Sequence, residues 1–412
     1  MIIFRARAGF DLIVRGFPQP FPLLFAGELV ASSGRFLVYP FFAIYLHDVI
    51  GASLSMVGTL LAISSVPGLL AQGVAGPLVD RFGRRRVLLI SLALDIAVLL
   101  SFASVRTLEA VALLMVAWGF VGGVPHVSIN AMVADIVSPE KRQEAYGLLR
   151  VATNVGAAVG PALGGYVVAV SYPLGFTIAA AAAAVYLVIF FLWVGETKPE
   201  IPAKTVQAGR AGRGGYGPIL RDTRFLSFGV GAVLVGLAYA IPWVFLSVYL
   251  KDSFGIPENR FGFLVTLNGL MVVFFQFPIA RWLARYPKMP VMAVGAALTG
   301  LGAGTVAYFD TYALFVISMV IITLGELVSV PTASAFVADA APPDMRGRYM
   351  AAFGLTWGLS FGIGPIAGGT LGDLFGPAAI WFGALAAGLA ATLVYLGLSM
   401  ARVEARAPAE AA

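Results

Sequence analysis

The chain has no cysteine among its 412 residues, only two histidines, and few charges: 12% Asp, Glu, Lys and Arg against 59% hydrophobic residues. Without cysteine there are no disulfides and no thiolate metal sites, and redox compartment is not legible. No G-x-x-x-x-G-K-(S/T) loop occurs, which argues against an ATP-driven pump of the P-loop kind. Two histidines, no cysteine and no H-E-x-x-H supply neither a nucleophile–base pair nor a metal set. The sequence therefore reads as a non-enzyme with no metal and no cofactor. The charge fraction is about half that of a soluble domain, and the mean hydropathy is +0.90. That composition defines an integral membrane protein. The N-terminal MIIFRARAGFDLIVRG carries three arginines and an aspartate without an isolated apolar core, and is not expected to be a cleavable signal.

Long apolar runs predict twelve helices, near 22–46, 55–79, 87–104, 110–134, 144–170, 175–195, 225–250, 260–283, 290–309, 313–337, 347–371 and 378–400. Residues 196–224 are polar, basic and rich in Gly and Pro, the composition of a solvated connector. The spans thus divide six and six, as an N-terminal bundle 1–195, a linker 196–224 and a C-terminal bundle 225–412. Of the 27 Lys and Arg residues, 22 fall on the side holding both termini and the linker, and only Arg106, Lys251 and Arg260 on the other. The positive-inside rule places that side, with both termini, in the cytoplasm. The net charge of +6 is then a matter of topology, and nucleic acid is not an expected partner.

The chain also repeats itself. VADIVSPEKRQEAYGLLRVATNVGAAVGPALGG, Val133 to Gly165, recurs 204 residues later as VADAAPPDMRGRYMAAFGLTWGLSFGIGPIAGG without a gap. At the same offset Tyr45, Leu46, Asp48, Gly51 and Gly58 meet Tyr249, Leu250, Asp252, Gly255 and Gly262. Two parallel six-helix repeats of an all-α membrane fold account for this, a plan shared by many secondary transporters.

Two motifs carry more than composition. Residues 76–86 read GPLVDRFGRRR. Gly76 and Gly83 allow close helix approach and a tight turn, Asp80 can accept from helix amides or an arginine, and Arg81, Arg84 and Arg85 face an anionic leaflet. In helix 5, Gly156, Gly160, Pro161, Gly164 and Gly165 place small residues on one face beside a bend. In these two motifs the chain resembles the major facilitator superfamily, whose helix 2–3 loop G-x-x-x-D-(R/K)-x-G-(R/K)-(R/K) is matched by Gly76 to Arg85. The resemblance implies a twelve-helix fold and a cytoplasmic latch at Asp80, with Arg81 and Asp135 as neighbours. Asp135 and Arg142 recur as Asp339 and Arg346, so all four are expected to serve the gate. Ala284 stands where Asp80 would recur, so the latch is expected on one side only. The helix 5 pattern resembles the antiporter motif of drug–proton exchangers, a fairly specific signal for efflux whose specificity is weakened by its partial repeat in helix 11 through the duplication.

Ionisable residues inside spans are costly and by default functional. Glu326 and Asp95 lie near mid-span, Glu28 and Arg35 share one face of helix 1, and Arg150 opens helix 5. For Glu28 and Arg150 snorkelling to an interface is the plain alternative. A carboxyl in a low-dielectric cavity can load and release a proton, and a cationic substrate competes for the same charge. GELVSVP around Glu326 resembles helix 10 of multidrug antiporters, which ranks Glu326 first as coupling carboxylate, with Asp95 and Glu28 behind. The helix 4 arginine of many such exporters is missing from Trp118–Gly122, which leaves Arg35 or Arg150 to replace it. His126 reads as a packed neutral histidine. Tyr39 and Trp243, related by the repeat, are expected on the cavity wall. The functional expectation is a monomeric exporter in the plasma membrane of a bacterium, exchanging lipophilic, cationic drugs for protons in a lipid bilayer. Its alternative is a proton-linked transporter of a sugar or organic anion, to which Arg35 and Arg150 would be suited.

Overall fold

In a computed structural model the described residues are 16–198, 217–342 and 345–410, with no strand among them. The first span, α1, runs from Pro20 to Val38 and continues through a 3-10 turn (Tyr39–Phe41), a helical turn (Phe42–Ile44) and a π-turn (Tyr45–Val49). There follow α2 (Leu54–Phe82), α3 (Arg84–Ser104) and α4, which is interrupted at Gly123 between Leu108–Gly122 and Val124–Ile136. The first repeat ends with α5 (Arg142–Val170) and α6 (Tyr172–Trp193). The second holds α7 (Thr223–Phe254), α8 (Glu258–Leu283), α9 (Lys288–Thr305), α10 (Tyr312–Ala340), α11 (Arg346–Phe375) and α12 (Pro377–Glu410).

Eleven of these are long and apolar enough to cross a membrane as they stand, and α2 is the twelfth once its 42° bend is allowed. The bend lies beside Pro67, whose ring removes a backbone donor and crowds the preceding turn. Of the expected connector, residues 199–216 lie outside the described set, 217–221 form a helical turn, and α7 already begins at Thr223.

By contacts the chain divides into two units: Met1–Tyr39 with Pro67–Pro202, and Pro40–Val66 with Ala203–Ala412. The turn between α1 and α2 thus belongs to the first repeat in sequence, yet it packs among the C-terminal helices.

In the first unit α1 lies against α5 and α6. The helix 5 glycines make the α1–α5 approach possible. A Cβ on Gly160 would stand 2.8 Å from both Phe36 Cβ and the Ser33 carbonyl, and one on Gly164 would collide with the Leu37 carbonyl. Pro161 and Gly165 are buried beside them. Phe21, Leu24, Leu92, Met132, Tyr186 and Phe190 fill the core at one end of this bundle.

In the second unit α11 meets α7 through the repeated motif. Here the fit is looser at Gly364, where a Cβ would stand 3.3 Å from Ala240 Cβ, and closer at Gly368, 2.9 Å from the Phe245 ring. Gly300 and Gly388 bring α9 and α12 together at backbone distance. Aromatic side chains fill the adjoining core, with Phe228 4.4 Å from Phe336 and 5.9 Å from Tyr395 between ring centroids.

Candidate functional site

Each unit encloses a cavity, and the sequence-predicted charged residues divide between them. In the first unit α1, α4 and α5 surround about 800 Å³ lined by Glu28, Arg35, His126, Arg150 and Thr153 among others. Glu28 accepts a hydrogen bond from Thr153 Oγ1 at 3.0 Å, tying α1 to α5. Asp95, 6% exposed on α3, accepts from the Trp118 indole and feels the charge of Arg35. An arginine of α1 therefore serves a carboxylate of α3 next to α4, whose own sequence carries no arginine. Tyr39, expected on the cavity wall, lies instead beside Trp118, 6.0 Å between ring centroids, outside the lining of this cavity. Arg150 is exposed on the cavity wall rather than buried in protein. His126 corrects the expectation of a packed ring: it is exposed, because the break of α4 at Gly123 lets the following helix start at the cavity edge.

The second cavity is smaller, about 30 Å³, and its walls are apolar and aromatic: Val235, Tyr239, Met292, Phe353 and Trp357. One carboxylate enters it, Glu326 of α10. Asn268 of α8, 5% exposed, donates from Nδ2 to Glu326 Oε2 at 2.8 Å and to Thr323 Oγ1 at 3.1 Å. Thr323 in turn donates to the Met319 carbonyl at 2.7 Å. This chain holds one face of the carboxylate at a fixed place and leaves α10 helical. The aromatic wall is itself ordered. Tyr239 meets Trp357 edge to face at 5.8 Å, and Trp357 stacks on Phe361 at 6.2 Å. Trp243 is one turn along α7, 5.8 Å from Tyr239, and lines a separate small pocket with Pro242 and Phe261. Asn268 and the Tyr239–Trp357 pair were not singled out from sequence as parts of a Glu326 site. An amide inside a span was the available signal, since it needs a partner there.

At the loop ends, charge pairs fasten helices in each unit. Arg84 donates from Nε to Asp135 Oδ2 at 2.8 Å and stands 3.4 Å from Asp80 Oδ1. Arg84, not Arg81, is thus the cation between Asp80 and Asp135, while Arg81 lies over the Phe82 ring. Glu196, missed in the sequence, accepts from the backbone amides of Arg84 at 2.9 Å and Arg85 at 3.2 Å, capping α3. Gly83 makes this possible: its φ is +95° and a side chain there would strike Glu196. Gly76 has open space beside it, so the expected close approach is not made there. Arg85 reaches the Phe191 carbonyl at 2.7 Å, and Arg142 donates to the Ala134 and Val137 carbonyls at the end of α4.

In the second unit Lys288 pairs with Asp339. Lys288 stands 204 residues from Arg84, as Asp339 does from Asp135. The basic–acidic pair thus recurs in the second unit, while Ala284 leaves no counterpart to the Asp80 arm. The side chain of Arg346 lies outside the described residues.

Two six-helix repeats with an interior cavity in each, charged residues held inside spans, and paired loops at the helix ends define a multi-pass membrane transporter. The profile of the Major Facilitator Superfamily matches residues 24–231 and again 228–412, and the chain belongs to that family. It is 28% identical to a Na(+), Li(+), K(+)/H(+) antiporter of Planococcus maritimus over 386 residues, 87% of this chain and 88% of the relative. It is 24% identical to the multidrug resistance protein MdtH of Shigella boydii, over 85% of this chain and 86% of that one. Among solved structures, a nucleoside transporter NupG variant superposes with a TM-score of 0.77 at 16% identity, covering 92% of this chain and 99% of that one. A peptide transporter POT variant gives 0.77 at 17% identity, covering 93% and 95%. These likenesses fix the fold.

Proposed function

We propose that the protein is a proton-coupled exporter of lipophilic cations in a bacterial inner membrane, working as a monomer by alternating access with both termini in the cytoplasm. One observation carries this reading: a single carboxylate, Glu326, anchored by Asn268 in a cavity walled by Tyr239, Phe353 and Trp357. A carboxylate gives an organic cation its counter-charge, and aromatic faces attract the same cation through their quadrupoles. A proton and that cation cannot both occupy Glu326 at full charge, which is the exchange that antiport requires. At about 30 Å³ the cavity admits little more than a water as it stands, so in this reading it widens around a cation as the helices move in transport. Glu326 is the leading coupling residue in this reading, Asp95 and Glu28 the reserves, and the Asp80–Arg84–Asp135 and Lys288–Asp339 pairs are gate elements.

The test is proteoliposomes with an imposed pH gradient and ethidium as the probe. Gradient-driven ethidium movement is expected, with loss in Glu326→Gln. Full coupled movement in Glu326→Gln would overturn the assignment.

A second reading has its own observation. Arg35 and Arg150 line the larger cavity, the residues an organic anion would need. Uptake of an anionic metabolite driven by the gradient, and lost in Arg150→Ala, would favour it. The same vesicles loaded with Na+ or K+ test the exchange for which the Planococcus maritimus relative is named.

A further inference from the structure

The turn after α1 and the end of α7 carry repeat-related dipeptides, His47-Asp48 and Lys251-Asp252, each followed by a glycine at positive φ, Gly51 (+76°) and Gly255 (+62°). The structure pairs them reciprocally within the second unit. Lys251 Nζ reaches Asp48 Oδ2 at 2.5 Å, and His47 Nε2 reaches Asp252 Oδ2 at 3.1 Å. Each basic residue thus takes the aspartate of the other repeat. One of the two basic groups is a permanent cation, and the other is an imidazole, a cation only when both ring nitrogens carry hydrogen.

The hydrogen-bond geometry says which form of the ring fits. His47 Nδ1 lies 2.8 Å from the Ala52 carbonyl oxygen, which can only accept, so Nδ1 carries a hydrogen. In a neutral ring the remaining nitrogen, Nε2, then presents its lone pair to a carboxylate oxygen. Two acceptors facing one another at 3.1 Å repel. One further proton, on Nε2 or on Asp252, turns that repulsion into a hydrogen bond, and on Nε2 it makes an ion pair.

The charged neighbours favour that proton. Facing the pair are Asp48, Lys251 and, across Lys251 at 2.7 Å, Glu258. Three carboxylates against one lysine leave this cluster short of positive charge unless the ring is protonated. Asp373 is engaged elsewhere, accepting from the Leu54 and Ser55 amides at 3.1 and 2.9 Å, and Arg260 lies over the Tyr312 ring. Both members of the pair are open to solvent, His47 31% and Asp252 43% exposed by side chain, so a proton can come and go.

We propose that His47 and Asp252 form a proton-holding latch that fastens the α1–α2 turn to α7, so that this end of the protein closes with uptake of one proton and is released by alkali. The fastening is large enough to matter. Around it Gly58 sits directly on the Pro365 carbonyl, Gly369 on the Leu54 carbonyl, and Phe41 meets Phe261 edge to face at 5.7 Å. The π-turn Tyr45–Val49 that carries His47 is a local distortion of the kind found at functional sites. The latch rests on the alternating-access reading for its purpose and on no choice of substrate.

The chain has no native cysteine, which makes site-directed spin labelling direct. Nitroxides at Val49→Cys and Ser253→Cys report the distance between the turn and α7 in liposomes from pH 5 to 9, without transport. A single short distance at low pH is expected, giving way to a longer one at high pH. For one linked proton the closed-to-open ratio changes by up to about tenfold per pH unit. Asp252→Asn, whose amide can donate to a neutral Nε2, is expected to stay closed at every pH; His47→Ala is expected to lose the pH dependence in favour of the longer distance. Distances independent of pH in the parent, or an unchanged pH shift in both variants, would overturn the latch.

Discussion

The two cavities stand at equivalent places in the two repeats, and their chemistry is opposite. Shifted by 204 residues, Arg35 becomes Tyr239, His126 becomes Val330, Thr153 becomes Trp357, and Glu28 becomes Ala232. All eight positions line their respective cavities. Conversely Gly122, on the wall of the first, becomes Glu326 in the second. Duplication therefore supplied one scaffold twice, and the side chains then diverged. One half is spacious, polar and rich in cations; the other is narrow, aromatic and holds one anion. A single site of mixed character would demand that both signs of charge be desolvated together, which is costly without close pairing. The first cavity sets Glu28 against two arginines and stays net positive, whereas the second carries Glu326 alone among its charged lining residues.

The largest effect that would break this comparison concerns charge. Glu326→Gln is expected to lower the affinity for a cationic dye at least about tenfold, the loss of one charge-assisted contact. Arg150→Ala is expected to change it less than about twofold, because its charge is exposed and screened. Binding to the purified protein by fluorescence titration reads both, and the reverse ranking would move cation recognition to the first cavity. Next comes Asn268→Leu. It removes the Asn268 donor from Glu326 Oε2, a loss of about 1.5–3 kcal/mol for a hydrogen bond to a charged group, and dye affinity should fall accordingly. Asn268→Asp would sharpen the point. A second carboxylate at 2.8 Å must share a proton with Glu326, so dye binding should acquire a steeper pH dependence than the parent shows.

Much of this was legible in the sequence, for reasons that differ by feature. Spans follow from apolar length, and the division into repeats from the ungapped 204-residue offset, so the twelve-helix fold was open to reading. Glu326, Asp95 and Glu28 stand out because charge inside a span is rare. Their partners do not. Asn268 lies 58 residues from Glu326, and nothing local in either helix announces the meeting. The same holds for Glu196 on the amides of Arg84 and Arg85, 112 and 111 residues away. The repeat held one clue that spacing alone did not exploit: Arg84 and Lys288 share a register, so a partner for Asp135 implied one for Asp339. His126 was misread because a lone histidine in an apolar run gives no sign of the break in α4 that exposes it.

The helix 5 and helix 11 glycine motifs carry the comparison into packing. Gly164→Ala drives a methyl group into the Leu37 backbone, which cannot yield as a side chain could. Overpacking of this kind costs about 1–3 kcal/mol. Gly364→Ala meets only Ala240 Cβ at 3.3 Å, and the better helix propensity of alanine offsets part of that contact. Thermal unfolding in detergent should therefore separate the two, with Gly164→Ala clearly lower and Gly364→Ala close to the parent. Equal losses would mean that α11 packs on α7 at Gly364 as tightly as α5 packs on α1 at Gly164, one turn further along the motif.

The smallest effect lies in the loop pairs, and here burial decides the sign of the comparison. Arg84 and Asp135 are 11% and 13% exposed by side chain, whereas Lys288 and Asp339 are 29% and 72% exposed. Removing one partner of a secluded pair strands the other charge, while an exposed pair is worth about 0–1 kcal/mol and is screened by salt. Asp135→Asn is expected to lower thermal stability, and to do so equally at low and high ionic strength. Asp339→Asn is expected to lower it slightly at low salt and not at all near 1 M, where the screening length is about 3 Å. A salt-independent loss in Asp339→Asn would show that the second pair is as secluded in solution as the first. The loss of the Asp80 arm at Ala284 would then have no energetic counterpart.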